Sequence, residues 1–329
     1  MISAGAKCQT QREILEGLCF NTSSNAESNV RRGHKLLLQM LTQANADHVL
    51  SIVNALFAEK NTTFLETFLK ALKDYQAEAI LTDFHKPAEA KNQINSYVEK
   101  KTKGMVKHLL DSVDPQTDAV ALNTFYFKGK WKDAFDKRRT HNADFHVDNK
   151  TVVRVPMMTR DGIYRMANIR EVGCTLVAVP YVGHFSAFFI IPNPGRLQDV
   201  LEALKNDSIR QWFEEMKPIR IILSIPKLQM SSTFDLKKEL TALGIKLVFS
   251  DKADLSGITG FKNLKLSKAV HKALVRMDEG GTEAAASSAG ENTPTSLPPQ
   301  AVVADRPFMF YIKDNQDDVD LFVGILIKP

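Results

Sequence analysis

Residues 279–296, EGGTEAAASSAGENTPTS, constrain the fold more than any other stretch of this chain. A strand-like segment, KAVHKALVRM, runs straight into a row of small residues with no proline before Pro294. A loop of that length ordinarily carries turn chemistry or reads as a flexible linker, and composition alone favours the linker. Read at the strand period of two, however, Thr282, Ala284, Ala286, Ser288, Gly290 and Asn292 share one face, all small and uncharged. Both charges between Thr282 and Asn292, Glu283 and Glu291, fall on the other face. The segment is patterned to enter a sheet with its slim face inward. A linker would also need a second domain after it. The short remainder beyond Ser296 is instead strongly apolar, RPFMFYI and then DLFVGILI, which reads as core strands of the same body. The loop leaves and re-enters one core, and residues 1–329 read as a single domain.

Composition bounds the partners. The 329 residues are 44% apolar and 25% charged, enough for a core that needs no disulfide scaffold. Cys8, Cys19 and Cys174 are an odd set, so at least one is unpaired within the chain, and no C-x-x-C occurs. A net charge of +5 without an aromatic-basic or zinc-finger pattern does not point to nucleic acid. No stretch is long and apolar enough to span a bilayer, so no membrane partner is expected. The first residues do not read as a signal peptide. Asn21, Asn61, Asn149 and Asn206 nevertheless each open an N-x-S/T sequon, which points to a secreted, extracellular glycoprotein.

Apolar spacing predicts helices over 33–41, 63–75, 88–109, 196–216 and 235–243. In the second, Phe64, Phe68, Leu65, Leu69 and Leu72 recur at three and four; in the third, Ile94, Tyr97 and Val98 face inward. Strands are expected at 49–58, 118–128, 151–158, 174–181, 185–191, 219–229, 268–277, 301–312 and 320–327. Helices come mostly first and strands later, without regular alternation, which gives an α+β class with mostly antiparallel sheets. Two polar residues sit in apolar strand rows. Asn123 shares a face with Ala121, Phe125 and Phe127; His271 shares one with Ala269, Ala273, Val275 and Met277. Each needs a partner or costs about 1–3 kcal/mol. Either each is satisfied separately, or they bond each other across neighbouring strands and tie the strand before the loop to the middle of a sheet.

Catalytic signatures are missing: neither G-x-S-x-G nor H-E-x-x-H occurs, so no enzyme activity and no cofactor are expected. His141, Asp144, His146 and Asp148 have metal-ligand chemistry, but the last three alternate along a strand, which reads as a solvated face. Arg31, Arg32 and Lys35, or Lys100, Lys101, Lys103 and Lys107, offer a glycosaminoglycan a basic surface; such runs are usually wet helix faces.

Taken in order, ALNTFYFKGKWKDAFD, FHVDNKTVVRVPMM, FDLKKELTALGI, ADLSGIT, LKLSKAVHKALVRMDEGGTEAA, SLPP and ADRPFMFYI resemble the serpin family, in its alpha-1-antitrypsin-like branch, over essentially the whole chain. The resemblance implies three mostly antiparallel β-sheets surrounded by helices, with an exposed reactive loop at 279–300. It implies a serine protease inhibitor that forms a covalent complex with its target and then inserts the cut loop into the central sheet, the mode for which serpins are known. Glu279, Gly280, Gly281, Thr282, Glu283, Ala284, Ala285, Ala286 and Ser287 match the hinge. Counting along the family pattern puts the cleaved bond between Thr295 and Ser296. Asn123 and His271 match the shutter pair, and Trp131 the aromatic of the breach. A small residue at the cleaved bond suits an elastase-like specificity pocket, since trypsin-like enzymes need Arg or Lys there. The same branch contains hormone carriers, so a non-inhibitory carrier of a small hydrophobic ligand is the competing expectation; the intact small-residue hinge favours inhibition. The resemblance begins partway through the family's second helix. The first helix, one strand, half the second helix and a secretion signal have no counterpart in these residues, which implies an uncovered apolar face.

Overall fold

The computed structural model describes residues 1–20, 22, 26–42, 48–205, 209–280 and 299–329. They fall into two compact units. The first comprises Met1–Asn45, Val49–Phe127 and Met230–Val275, and the second Ala46–His48, Lys128–Gln229 and Arg276–Pro329. The helices formed by described residues are α1 (Cys8–Gly17), α2 (Ala26–Leu41), α3 (Glu66–Asp74), α4 (Pro87–Lys101), α5 (Leu197–Leu204), α6 (Ile209–Glu215), α7 (Leu236–Ala242) and α8 (Ser256–Thr259). The strands are β1 (His48–Glu59), β2 (Ala77–Thr82), β3 (Ala119–Gly129), β4 (His141–His146), β5 (Val152–Ile169), β6 (Cys174–Pro180), β7 (Phe185–Pro192), β8 (Lys217–Pro226), β9 (Leu228–Asp235), β10 (Lys268–Met277), β11 (Gln300–Val303), β12 (Phe308–Asp314) and β13 (Val319–Leu326).

Several helices depart from the expected bounds for local reasons. In α3 the buried stripe is Phe68, Ala71 and Leu72, while Leu65 and Leu69 are exposed. Helix α4 starts on Pro87, whose fixed φ suits a first turn. It buries Ala90, Ile94 and Val98 but stops at Lys101, short of residue 109. Lys103 and Gly104 take left-handed φ of 51° and 80°, and the Gly104 N–H closes onto the Glu99 carbonyl at 2.8 Å, a helix-ending turn. The helix expected at 33–41 begins at Ala26, because its first two turns are largely polar and carry little periodic signal. The region 196–216 holds two helices, α5 and α6. The strand expected at 301–312 is interrupted by Ala304–Pro307, where proline has no N–H for the ladder.

The five-stranded sheet has the order β2-β1-β3-β10-β9. Within it β1 pairs with β2, and β3 with β10, in parallel. Both faces of β3 are covered. Ala119 and Ala121 pack with Phe68, Leu72, Ile245 and Ile258, whereas Val120, Leu122 and Tyr126 pack with Ile94, Val98 and Leu110. This double burial explains why β3 lacks clean alternation.

The second set of strands runs β11-β8-β5-β6-β7-β12-β13, with β4 also on β5. Its pairs are antiparallel apart from β11 with β8. The two smaller sheets that the resemblance implies are joined here by β5: its Met157–Met166 stretch pairs with β8, and its end, Arg165–Ile169, pairs with β6. Helices α5 and α6 lay Val200 and Trp212 onto Leu176, Phe188, Ile190 and Met309.

Candidate functional site

The β3–β10 seam organises the first cluster. The two strands run parallel, in register from Lys268 opposite Val120 to Val275 opposite Phe127. His271 lies directly opposite Asn123. Its Nδ1 is 2.6 Å from Asn123 Oδ1. Asn123 Nδ2 donates to Asn54 Oδ1 at 2.8 Å, and Asn54 Nδ2 donates to the Tyr75 carbonyl at 3.0 Å. Since the Asn123 amide nitrogen is committed to Asn54, its oxygen is the acceptor, so His271 Nδ1 carries the proton that fills the gap. The result is a polar relay across β10, β3 and β1, ending on backbone. Both Asn123 and His271 are half-buried rather than fully enclosed. The His271 ring also stacks against Phe234 of β9, with centroids 5.9 Å apart. Sequence reasoning missed Asn54. The signal was present, because Asn54 interrupts the apolar run of SIVNALFAE as Asn123 interrupts its own strand.

Burial holds the His271 imidazole below its ordinary pKa. The unfolded chain therefore binds a proton that the folded chain resists. The neutral ring's contribution is intact above about pH 6.5, the unfolded value, and is lost as pH falls from there towards the lower folded value. Denaturant midpoints between pH 7.5 and 5 should fall for the parent chain. In His271→Gln the part of that slope belonging to this residue should vanish; an unchanged slope would contradict the assignment.

A second cluster, within the second unit, surrounds the residues that follow β10. Trp131 is buried, stacks on Tyr181 with centroids 4.2 Å apart and meets Phe135 edge-on at 6.0 Å. Its indole Nε1 donates to the Asp278 carbonyl at 2.7 Å. The Asp278 carboxylate is met by Lys128 at 3.4 Å and by Arg276 at 3.3 Å. Glu279 is only 5% exposed. Its carboxylate receives Lys227 Nζ at 2.9 Å and the Thr140 hydroxyl at 2.9 Å, and its carbonyl accepts the Phe135 N–H at 2.8 Å. Burial raises this carboxyl, but the hydrogen bonds from Lys227, the backbone and Thr140 outweigh it and hold the pKa below the usual range. Backbone and side chain of the segment leaving β10 are thus anchored at Asp278 and Glu279. Lys227 and Thr140 were not legible as partners, since both are remote in sequence.

Gly280 is described and half-buried. The remaining hinge positions, Gly281, Thr282, Glu283, Ala284, Ala285, Ala286 and Ser287, lie outside the described residues, as do Pro294 and the Thr295–Ser296 bond. So do Asn21 and Asn206; Asn61 and Asn149 are exposed in turns. His141 and His146 bound β4 and are exposed, Asp144 is near Arg154 at 3.8 Å, and Asp148 Oδ1 accepts from the N–H groups of Lys150 and Thr151. Arg31 and Lys35 share Asp74, and Lys101 pairs with Glu78, while Arg32, Lys100, Lys103 and Lys107 are exposed. No helix among the described residues is long and apolar enough to cross a membrane.

The family model for serpin (serine protease inhibitor) matches residues 1–329, and the chain belongs to the serpin family. Among individual relatives, alpha-1-antiproteinase of Rattus norvegicus is 41% identical over 330 residues, spanning 100% of this chain and 80% of the relative. Alpha-1-antiproteinase of Bos taurus is 41% identical over 330 residues, spanning 100% and 79%. Among solved structures, human thyroxine-binding globulin complexed with thyroxine superposes with a TM-score of 0.92 at 35% identity, covering 100% of this chain and 88% of that one. Family and relatives together support protease inhibition in general as the activity.

Proposed function

We propose that this chain is a suicide inhibitor of a serine protease with a small, elastase-like specificity pocket. The observation that carries the reading is the β3–β10 seam. The two strands are parallel neighbours, and in the sequence β10 is followed within a few residues by the small-residue stretch that starts at Gly281. A segment that turned back after β10 and entered the seam would run antiparallel to both flanking strands. One parallel ladder would become two antiparallel ones, the slightly more stable pairing. About a dozen residues, each adding a backbone hydrogen bond of order 1 kcal/mol net, contribute roughly 10 kcal/mol before ordering entropy is subtracted. The Thr282-to-Asn292 face is slim enough to pass between existing side chains.

In the reaction, the protease serine Oγ attacks the Thr295 carbonyl carbon. The peptide bond breaks, Ser296 leaves with a new amino group, and Thr295 is held as an ester on the protease. Insertion then carries the acylated protease away from its starting position before water can release it. The inhibitor supplies no catalytic group and needs no cofactor. Asn123 and His271 latch the seam until it parts, and Trp131, Asp278 and Glu279 fix the point where the loop begins. Exposed Asn61 and Asn149 suit glycan attachment on a secreted protein, and the exposed Lys100, Lys103 and Lys107 would be the meeting point for a glycosaminoglycan.

Incubation with an elastase-type serine protease should give a complex that survives boiling in detergent, with a carboxyl-terminal fragment beginning at Ser296. Complete cleavage at Thr295 without a stable complex would contradict the reading. The likeness to thyroxine-binding globulin supports a second reading, a carrier of a small hydrophobic ligand. Saturable quenching of Trp212 fluorescence by thyroxine, together with absence of the covalent complex, would favour the carrier.

A further inference from the structure

Strand β13 closes one end of the second set of strands, and among the described residues no strand pairs with its outer edge. Leu321, Val323, Ile325 and the following Ile327 alternate onto one face. Val323 is 57% exposed, Ile325 38% and Ile327 49%. Their cross-strand neighbours on β12 are covered. Tyr311, opposite Val323, and Met309, opposite Ile325, are buried in the cluster with Trp212 of α6. The apolar face thus continues one strand beyond its cover. An open edge with an exposed apolar row is a template for pairing with another strand.

The charges at the two ends of β13 select that strand. Asp320 lies near one end and Lys328 just past the other, and both are exposed. Asp320 is 3.8 Å from Lys313, whose nearer partner is Asp318 at 2.5 Å. If a second β13 lies antiparallel to the first, with a two-fold axis beside Gly324, Asp320 falls opposite Lys328 of the second copy. Leu321 then falls opposite Ile327, Phe322 opposite Leu326, and Val323 opposite Ile325. Apolar residues meet apolar residues, and both ends close with an ion pair. Moving the axis to Val323 sets Asp320 against Leu326; moving it to Ile325 sets Lys328 against Phe322. The sequence of this strand therefore complements itself in one register.

We propose that β13 is a self-pairing edge, through which two copies of the chain join as an antiparallel strand pair about a two-fold axis at Gly324. Such a contact uses the same patch on both copies and stops at the dimer. It does not depend on loop insertion: a chain that inhibited nothing would still pair.

Sedimentation equilibrium over a concentration series tests this. One strand pair is a small interface, so dissociation on the order of micromolar is expected. Val323→Lys should leave a monomer, with the denaturation midpoint of dilute protein unchanged. Asp320→Lys puts lysine against Lys328 at both ends, and Lys328→Asp puts aspartate against Asp320. Each should weaken dimerisation about tenfold. A mixture of these two variants regains both ion pairs in the mixed dimer, so it should associate like the parent chain while each variant alone does not. A parent chain that stays monomeric up to about 100 µM overturns the proposal. Hydrogen-exchange protection of the outer β13 amides in that monomer would show another stretch of chain on the edge. Association that ignores Val323→Lys, or a mixture no tighter than its components, overturns the proposal equally.

Discussion

Replacing Thr282 by arginine is expected to convert an inhibitor into a substrate. Thr282 opens the slim face of the loop, the side that would point into the sheet on insertion. An arginine there must be buried without a partner or must hold the first inserted rungs apart. Burying an unpaired charge costs several kcal/mol, a large share of the roughly 10 kcal/mol gross gain from added backbone hydrogen bonds. Insertion slows, water reaches the ester first, and the protease is released intact. The moles of inhibitor consumed per mole of protease blocked should rise at least about tenfold. Glu283→Arg, on the opposite face, should change that ratio little. If Thr282→Arg forms complexes at the parent rate and stoichiometry, the inward and outward faces have been assigned the wrong way round.

The largest loss of stability is expected from Asn123→Ala. Asn123 is the middle link of the relay, so its removal orphans two groups at once, the His271 Nδ1–H and Asn54 Oδ1. Each orphaned buried group costs about 1–3 kcal/mol. Half-burial lets water recover part of this, which leaves about 2–3 kcal/mol as the expected destabilisation. Denaturant unfolding measures it directly. The relay also predicts coupling: His271→Ala should cost much less in the Asn123→Ala background than in the parent chain. Additive effects would show that the two residues are satisfied independently.

Several strands with a consistent apolar row were readable from sequence to within a residue or two, whereas the strand expected at 151–158 runs on to Ile169 as β5, through the polar stretch Thr159–Gly162 that masks its continuation. Residues 268–277 emerge as β10, and 185–191 as β7 lengthened by one. The edge strands β9 and β2 were not readable. Strand β9 shows a mostly exposed pattern, Gln229 to Asp235, and has no apolar row to recognise. Nor is β2 alternating, because it follows Tyr75 and Gln76 with a mixed half-buried face. Helix ends were missed where polar first turns hid the start of α2, and where the stop signal at Lys103–Gly104 was outweighed by the apolar residues beyond it. Of the site, Asn123 and His271 announced themselves as polar interruptions of apolar rows. Their union required the parallel register of two strands 148 positions apart, which no local pattern carries. The anchors of Glu279 lie equally far off, with Thr140 139 positions away.

The central claim is that the loop, once cut, lowers the free energy of the molecule by entering the β3–β10 seam. Thermal unfolding of the chain nicked between Thr295 and Ser296, compared with the uncut chain, tests this most directly. A net gain of about 5 kcal/mol, half the gross estimate, corresponds to a rise in the midpoint of about 10 °C or more for a protein of this size. A nicked chain that melts at or below the temperature of the uncut one would contradict the account.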